Sequence, residues 1–169
     1  VESKDDNLPN PDVSKTLDLI SKGEDWRVVV TGVGGSGVTT ISRILAEASR
    51  EMDGRSDLDF KFMDQKGLAQ RNGRVTGHLS IYKKGKGQGA VTPLGKADLL
   101  LSPDLLDGSQ AISFLAKSGK ALIDSDFQVP LSILLDKELE TSSLKEEGLR
   151  EDLKEKLGER LILQPLKKK

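Results

Sequence analysis

This sequence predicts an α/β fold, a three-layer α/β/α arrangement around a mostly parallel, mixed sheet, and three observations carry the prediction. A β-branched run, Arg27-Val-Val-Val30, ends at a glycine cluster, Gly32-Val-Gly-Gly-Ser-Gly37. Directly after the cluster the apolar period changes from 2 to 3.6. Further along, short apolar runs alternate with helical patterns, which suits a parallel sheet covered on both faces. A strand, a glycine loop and a helix in that order make the expected topology Rossmann-like. With 169 residues, one domain with its own core is expected.

The elements follow in chain order. Residues 1–25 are polar, with Asn7-Leu-Pro-Asn-Pro11 in the middle and a short apolar group at Leu17, Leu19 and Ile20. They read as a leader or linker, with an extra helix over residues 14–22 as the alternative. The folded domain is expected over residues 26–166, and Lys167-Lys-Lys169 as a basic tail. Residues 27–30 form a buried central strand. From Ser36 onward Val38, Ile41, Ile44, Leu45, Ala48 and Met52 share one helical face, and the helix stops near Asp53-Gly54. Residues 58–63 are a second strand and residues 67–72 a loop.

Residues 73–82 alternate cleanly. Val75, Gly77, Leu79 and Ile81 face one side; Arg74, Thr76, His78, Ser80 and Tyr82 face the other. Residues 83–89 hold three lysines and three glycines and are expected as an exposed hairpin turn. Asp98-Leu-Leu-Leu101 is a short buried strand. Residues 103–117 read as a helix closed by Gly119, and residues 120–123 as a strand. Residues 138–157 form a charged surface helix with a leucine stripe at 139, 144, 149, 153 and 157, whose irregular spacing suits a core face better than a coiled-coil seam. Leu161-Ile-Leu163 is the last strand.

Composition excludes several functions. A net charge of −1 gives no basic face for general nucleic-acid binding. There is no cysteine, so these residues supply no disulfide, thiolate nucleophile or iron–sulfur ligand. No apolar run approaches the ~20 residues that span a bilayer, and the expected location is the cytoplasm.

Gly32 to Gly37 satisfies G-x-G-x-x-G after a strand and before a helix. On that reading Gly32 permits a tight turn, Gly34 admits a ligand close to the backbone, and Gly37 lets helix pack on strand. Helix-start N–H groups, with the Ser36 and Thr39 hydroxyls, would hold an anion. Asp64 is the candidate ribose ligand or simply ends its strand, since it lies 27 residues past Gly37 where about 20 are expected. The P-loop pattern fails at Val38, which stands at the lysine position. The loop therefore supports either a nucleotide or phosphate site or close packing at an interface.

Four segments in order resemble one family. They are Thr31-Gly-Val-Gly-Gly-Ser-Gly-Val-Thr-Thr40 with Ile44-Leu45-Ala46, then Gly67-Leu-Ala-Gln-Arg-Asn-Gly73, Val75-Thr-Gly-His78, and Gly95-Lys-Ala-Asp-Leu-Leu-Leu101 followed by Ala121-Leu-Ile-Asp124. They are similar to the gamma domain of thiamine-diphosphate-dependent 2-oxoacid:ferredoxin oxidoreductases of the pyruvate and indolepyruvate type, most of all the indolepyruvate type. There a glycine loop precedes G-[LM]-A-Q-[RK]-G-G and a strand beginning V-x-S-H. The resemblance runs from about Trp26 to Pro130, with a weaker tail to Gln164. Asn72 departs from the family's glycine and Gly77 from its serine.

The resemblance implies a gamma component without a thiamine or iron–sulfur site of its own. Thiamine diphosphate, Mg²⁺ and iron–sulfur clusters would belong to alpha and beta partner domains or subunits. The whole enzyme would decarboxylate a 2-oxoacid, pass electrons to ferredoxin and form an acyl-CoA, with CoA as co-substrate. The isolated chain is expected to be inactive, with no catalytic or metal-binding residue, and no nucleic acid or membrane as partner. Residues expected to meet CoA, a phosphate or a partner subunit are Gly32, Gly34, Gly35, Ser36, Gly37, Thr39, Gln70, Arg71 and His78. A stand-alone NAD- or FAD-binding module is the alternative, and a purely structural assembly domain a third reading.

Single residues leave choices open. His78, the one histidine, reads as catalytic, as an interface contact, or as a structural side chain on a strand. Arg71 is an anion or carboxylate donor, or an ordinary exposed arginine. Lys83, Lys84 and Lys86 meet CoA phosphates or are simply solvated. Asp98 is expected to cap or to form a salt bridge.

Overall fold

The computed structural model describes residues 25–50, 58–66, 73–86, 89–126 and 146–166. The expected leader up to residue 24, the loop at 67–72, the first part of the helix predicted over 138–157 and the basic tail lie outside them.

Strand β1 (Trp26–Val33) is the centre of the sheet. Its valines at 28, 29 and 30 are shielded on both faces, which is why the run is continuously apolar and not alternating. The strands β2 (Leu58–Lys66), β3 (Arg74–Lys83), β4 (Ala97–Ser102), β5 (Leu115–Asp124) and β6 (Leu161–Gln164) complete a six-stranded sheet among the described residues, in the order β2-β3-β1-β4-β5-β6. β1, β4, β5 and β6 are joined by parallel pairings. β3 runs against both of its neighbours. The sheet is therefore mixed, with five strands pointing one way.

Helices cover both faces. Helix α1 (Val38–Arg50) lies over β1, β3 and β2, where Val38 and Ala46 join Val28, Val30, Leu79 and Ile81 in one core. On the other face α2 (Leu105–Ala111) and α3 (Glu146–Leu157) bring Leu105, Ala111, Leu153 and Leu157 onto Val29, Leu100, Ala121 and Ile123. This is the predicted three-layer α/β/α fold. No helix among the described residues is long and apolar enough to cross a membrane.

Local expectations differ at three places. The apolar stripe of α1 is rotated from the one its period suggested: Ser42 is buried, whereas Ile44 is 61% exposed and Ala48 is exposed. Helix α2 is short. It gives way to a 3₁₀ turn (Ile112–Phe114) and then to β5, so Gly119 sits inside a strand and ends no helix. A side chain there would strike the carbonyl of Ala97 in the neighbouring strand, which is why glycine occupies the position. The expected hairpin is a turn, with Lys86 N–H donating to Lys83 O at 3.0 Å and Gly85 at φ 81°. It does not join neighbouring strands, because β1 lies between β3 and β4. Of the long charged helix, residues 146–157 are described and helical.

Between β3 and β4 the chain crosses the α2 side of the sheet. The crossing strap, residues 89–96, is tied down at three points. Thr92 N–H donates to His78 Nδ1 at 3.3 Å, the Arg27 guanidinium to Val91 O at 3.4 Å, and Gly95 N–H to Ser113 O at 2.9 Å.

Candidate functional site

The glycine loop leaves the carboxyl end of β1. From there α1 turns to one face of the sheet, whereas α2, which follows the neighbouring parallel strand β4, lies on the other. The two connections part between β1 and β4. Such a switch point is where open α/β sheets form their ligand crevice.

Each loop residue has a physical assignment, and these differ from the fingerprint roles. Gly32 is the close-packing position. A Cβ there would stand 2.8 Å from Ser36 Oγ, 2.9 Å from Val38 Cγ2 and 3.3 Å from Pro103 Cγ. Gly35 and Gly37 have φ of 95° and 89° with open space around their Cβ positions, so they serve the turn and not helix packing. Gly34 does bring backbone close to something, but to this chain: its N–H donates to Gly73 O at 2.9 Å. The Ser36 hydroxyl and amide both point back to Val33 O, at 2.6 and 3.0 Å. Val38, at the P-loop lysine position, is buried against Gly32. The Ile41 N–H already donates to Gly37 O at 2.9 Å, so the amides of Val38, Thr39 and Thr40, with the half-buried Thr39 side chain, are the donors the start of α1 offers a ligand.

The opposite wall was not legible as a site from sequence. Ser102 Oγ lies 2.8 Å from Thr31 O and 2.7 Å from Asp104 O, pinning the end of β4 to β1. Asp104 caps α2 by accepting the Asp107 amide at 2.9 Å. Asp107 in turn pairs at 3.0 Å with Arg74, which also bonds Gln110. The signal available was Asp104-Leu-Leu-Asp107, an acidic residue directly before an apolar pair and a second one three positions on, a helix-start pattern. Carboxylates thus dominate this wall, and its arginine is already paired. A bare polyphosphate would meet repulsion there.

His78 is not part of this crevice. It pairs with Val29, three residues back from Gly32, and faces away from α1. Its ring is fully buried, with Phe114 edge-on at 5.6 Å and 69°. Because Nδ1 accepts from the Thr92 amide, the proton of the neutral ring sits on Nε2, which has no hydrogen-bond partner among the described residues. Burial lowers its pKa from the ordinary 6.5. Asp64 is also elsewhere. It lies on β2, with its Oδ1 3.1 Å from the Cβ position of Gly77, and β3 separates it from β1. Asp64 therefore does not stand at the loop where the dinucleotide fingerprint needs its ribose ligand. Asp98 makes the expected local contact, accepting the Arg27 amide at 2.8 Å. Gln70 and Arg71 lie outside the described residues.

The family model for pyruvate ferredoxin/flavodoxin oxidoreductase matches residues 27–162. Indolepyruvate oxidoreductase subunit IorB of Methanothermobacter thermautotrophicus is 26% identical over 110 residues, 65% of this chain and 53% of that protein. The subunit of the same name from Thermococcus kodakarensis is 30% identical over 100 residues, 57% of this chain and 45% of its own. A solved gamma subunit of a keto/oxoacid ferredoxin oxidoreductase from Geobacter sulfurreducens PCA matches at TM-score 0.44 and 22% identity, over 62% of this chain and 53% of that one. The chain spans about half the length of the curated relatives it matches. With the family pattern running from the second residue of β1 into β6, this chain belongs to the pyruvate ferredoxin/flavodoxin oxidoreductase family.

Proposed function

We propose that this chain is the gamma component of an indolepyruvate-type 2-oxoacid:ferredoxin oxidoreductase. In that role it takes part in oxidative decarboxylation of a 2-oxoacid to an acyl-CoA, within a larger assembly. The family match over residues 27–162, together with relatives named as indolepyruvate oxidoreductase subunits, carries the reading. The redox groups would belong to partner domains. These 169 residues contain no cysteine, and the described residues include no group of three or more His, Cys, Asp or Glu side chains placed to hold a metal ion. With no cysteine they do not fit an iron–sulfur cluster, and no step of the chemistry is assigned to them.

What the chain's own residues do is hold a surface. The glycine loop, with Gly34 joined to Gly73 and Ser36 turned onto Val33, presents a closed backbone edge. We assign Gly34, Gly35, Ser36, Gly37 and Thr39, with Gln70 and Arg71 of the following segment, to contact with CoA or with a thiamine-binding partner, while Gly32, buried against Val38 and Pro103, packs the loop beneath them. His78 belongs to the support of the strap. The test is reconstitution with the thiamine-binding partner chain, indolepyruvate, CoA and ferredoxin. Turnover should require this chain, and the chain alone should have none. Full turnover by the partner without it would overturn the proposal. Micromolar NAD or FAD binding by the isolated chain, abolished in Gly34→Val, would favour a nucleotide-binding module instead.

A further inference from the structure

A net charge near zero hides a separation of charge along the strands. At the carboxyl end stand Asp104, Asp107, Asp124 and Asp126, accompanied by the engaged arginines Arg74 and Arg150. At the amino end Lys83 closes β3, Lys84 and Lys86 follow it, Lys96 enters β4, and Lys117 and Lys120 lie on the early part of β5. All six lysines are exposed, and none forms an ion pair among the described residues. The carboxylates beside them are committed locally: Asp98 to the Arg27 amide, Asp25 to the Arg27 guanidinium, Asp59 to the Phe60 amide. Glu159 lies beyond the row, at the entry to β6. From β3 to β5 is three strand spacings, so the row spans about 14 Å.

The strap crosses this same end and supplies an apolar centre. Leu94 is 67% and Val91 42% exposed, on a backbone held by His78, Arg27 and Ser113. A merely solvated loop has no need of a buried histidine and a buried arginine beneath it. Apolar side chains on a fixed backbone, ringed by exposed lysines that form no ion pair among the described residues, have the anatomy of a protein interface. A small polyanion would instead want donors converging on a concave pocket. The lysines here extend from separate strand ends around an exposed, apolar crossing. We infer that the amino end of the sheet docks an acidic protein surface, with Leu94 and Val91 as its apolar contact and the lysines as its rim.

The occupant used for the test rests on the proposed function, since the probe is the thiamine-binding partner chain. Its dissociation constant with the full chain is measured by surface plasmon resonance at about 50 and about 300 mM NaCl. The triple variant Lys83→Glu/Lys84→Glu/Lys86→Glu should weaken binding about 10-fold or more at low salt and flatten the salt dependence. Leu94→Asp should weaken it at both salts, while Lys154→Glu on α3 should leave it unchanged. These side chains are exposed, so circular dichroism should report an unaltered fold for every variant. Partner binding unmoved by both the triple variant and Leu94→Asp overturns the inference while leaving the proposed function standing. So does loss of CoA binding alone in the triple variant, which would assign the lysines to a small polyanion. A wild-type chain that does not bind the partner at all overturns both.

Discussion

A methyl group added at Gly77 would fall on the hydroxyl of Ser42, with Ser42 Cβ and Asp64 Oδ1 each 3.1 Å away. The family pattern has serine at this position of β3. Here its space is filled from α1, which explains the departure in terms of packing. Gly77→Ala should cost roughly 1–3 kcal/mol in urea unfolding. Adding Ser42→Ala should recover about 1 kcal/mol or more of that loss. A double variant no more stable than the single would refute the clash. His78 gives the second residue-level prediction. Burial holds its folded pKa below the ordinary 6.5, so as pH falls the unfolded chain takes up the proton first. Its contribution is therefore complete above about pH 7 and declines as pH drops below 6.5 towards the lower folded value. The slope is at most about 1.4 kcal/mol per pH unit. In His78→Gln, which keeps an acceptor for Thr92, stability between about pH 7 and 5 should be flatter; an unchanged slope would place the titration elsewhere. The sequence could single out His78 as the one histidine. It could not show Thr92 and Phe114 closing over it, because a chain crossing has no period to read.

Elements were legible where both faces of a strand or a full alternation wrote themselves into the residues. β1 and β3 are where the apolar run and the alternating run placed them, and β4 and β6 likewise. What failed were boundaries decided by a neighbour. β5 begins at Leu115, five residues before the apolar run suggested, because its irregular first half pairs with the start of β4 at Ala97. Gly119 marks that close approach and not a helix end. In α1 the apolar period alone included Ile44, yet the sheet beneath turns the helix so that Ser42 lies inward over Gly77. Ile44→Gln should accordingly change stability by no more than about 0.5 kcal/mol. Val38→Ala, under the glycine loop, should cost about 1–2 kcal/mol. Equal losses for the two, measured by thermal or urea unfolding, would restore the face predicted from the period.

At the scale of the whole molecule, the sheet order decides where stability is stored. β1 and β4 lie inside the sheet, carry the fully buried Val28, Val29 and Leu100, and join the two cores across one another's faces. β6 has four residues and one strand partner among those described, with Ile162 47% exposed. β2 also has a single described partner, and its side chains are at best half-buried. Opening a strand costs what its burial and its pairings supply, so the unit that opens last should be β1 with β4. Hydrogen exchange on the isolated chain should therefore show its slowest amides at Val28–Val30 and Leu99–Leu101, with β3 and β5 intermediate. β2 and β6 should exchange fastest among the strands. Protection in β6 equal to that in β1 would mean that the order of the sheet does not set the order of opening. The glycine loop sits directly on the strand expected to be most protected, and the lysine-rimmed strap crosses its opposite end. Both faces proposed to meet partners are thus anchored on the part of the fold that yields last, which is what keeping their geometry fixed before docking requires.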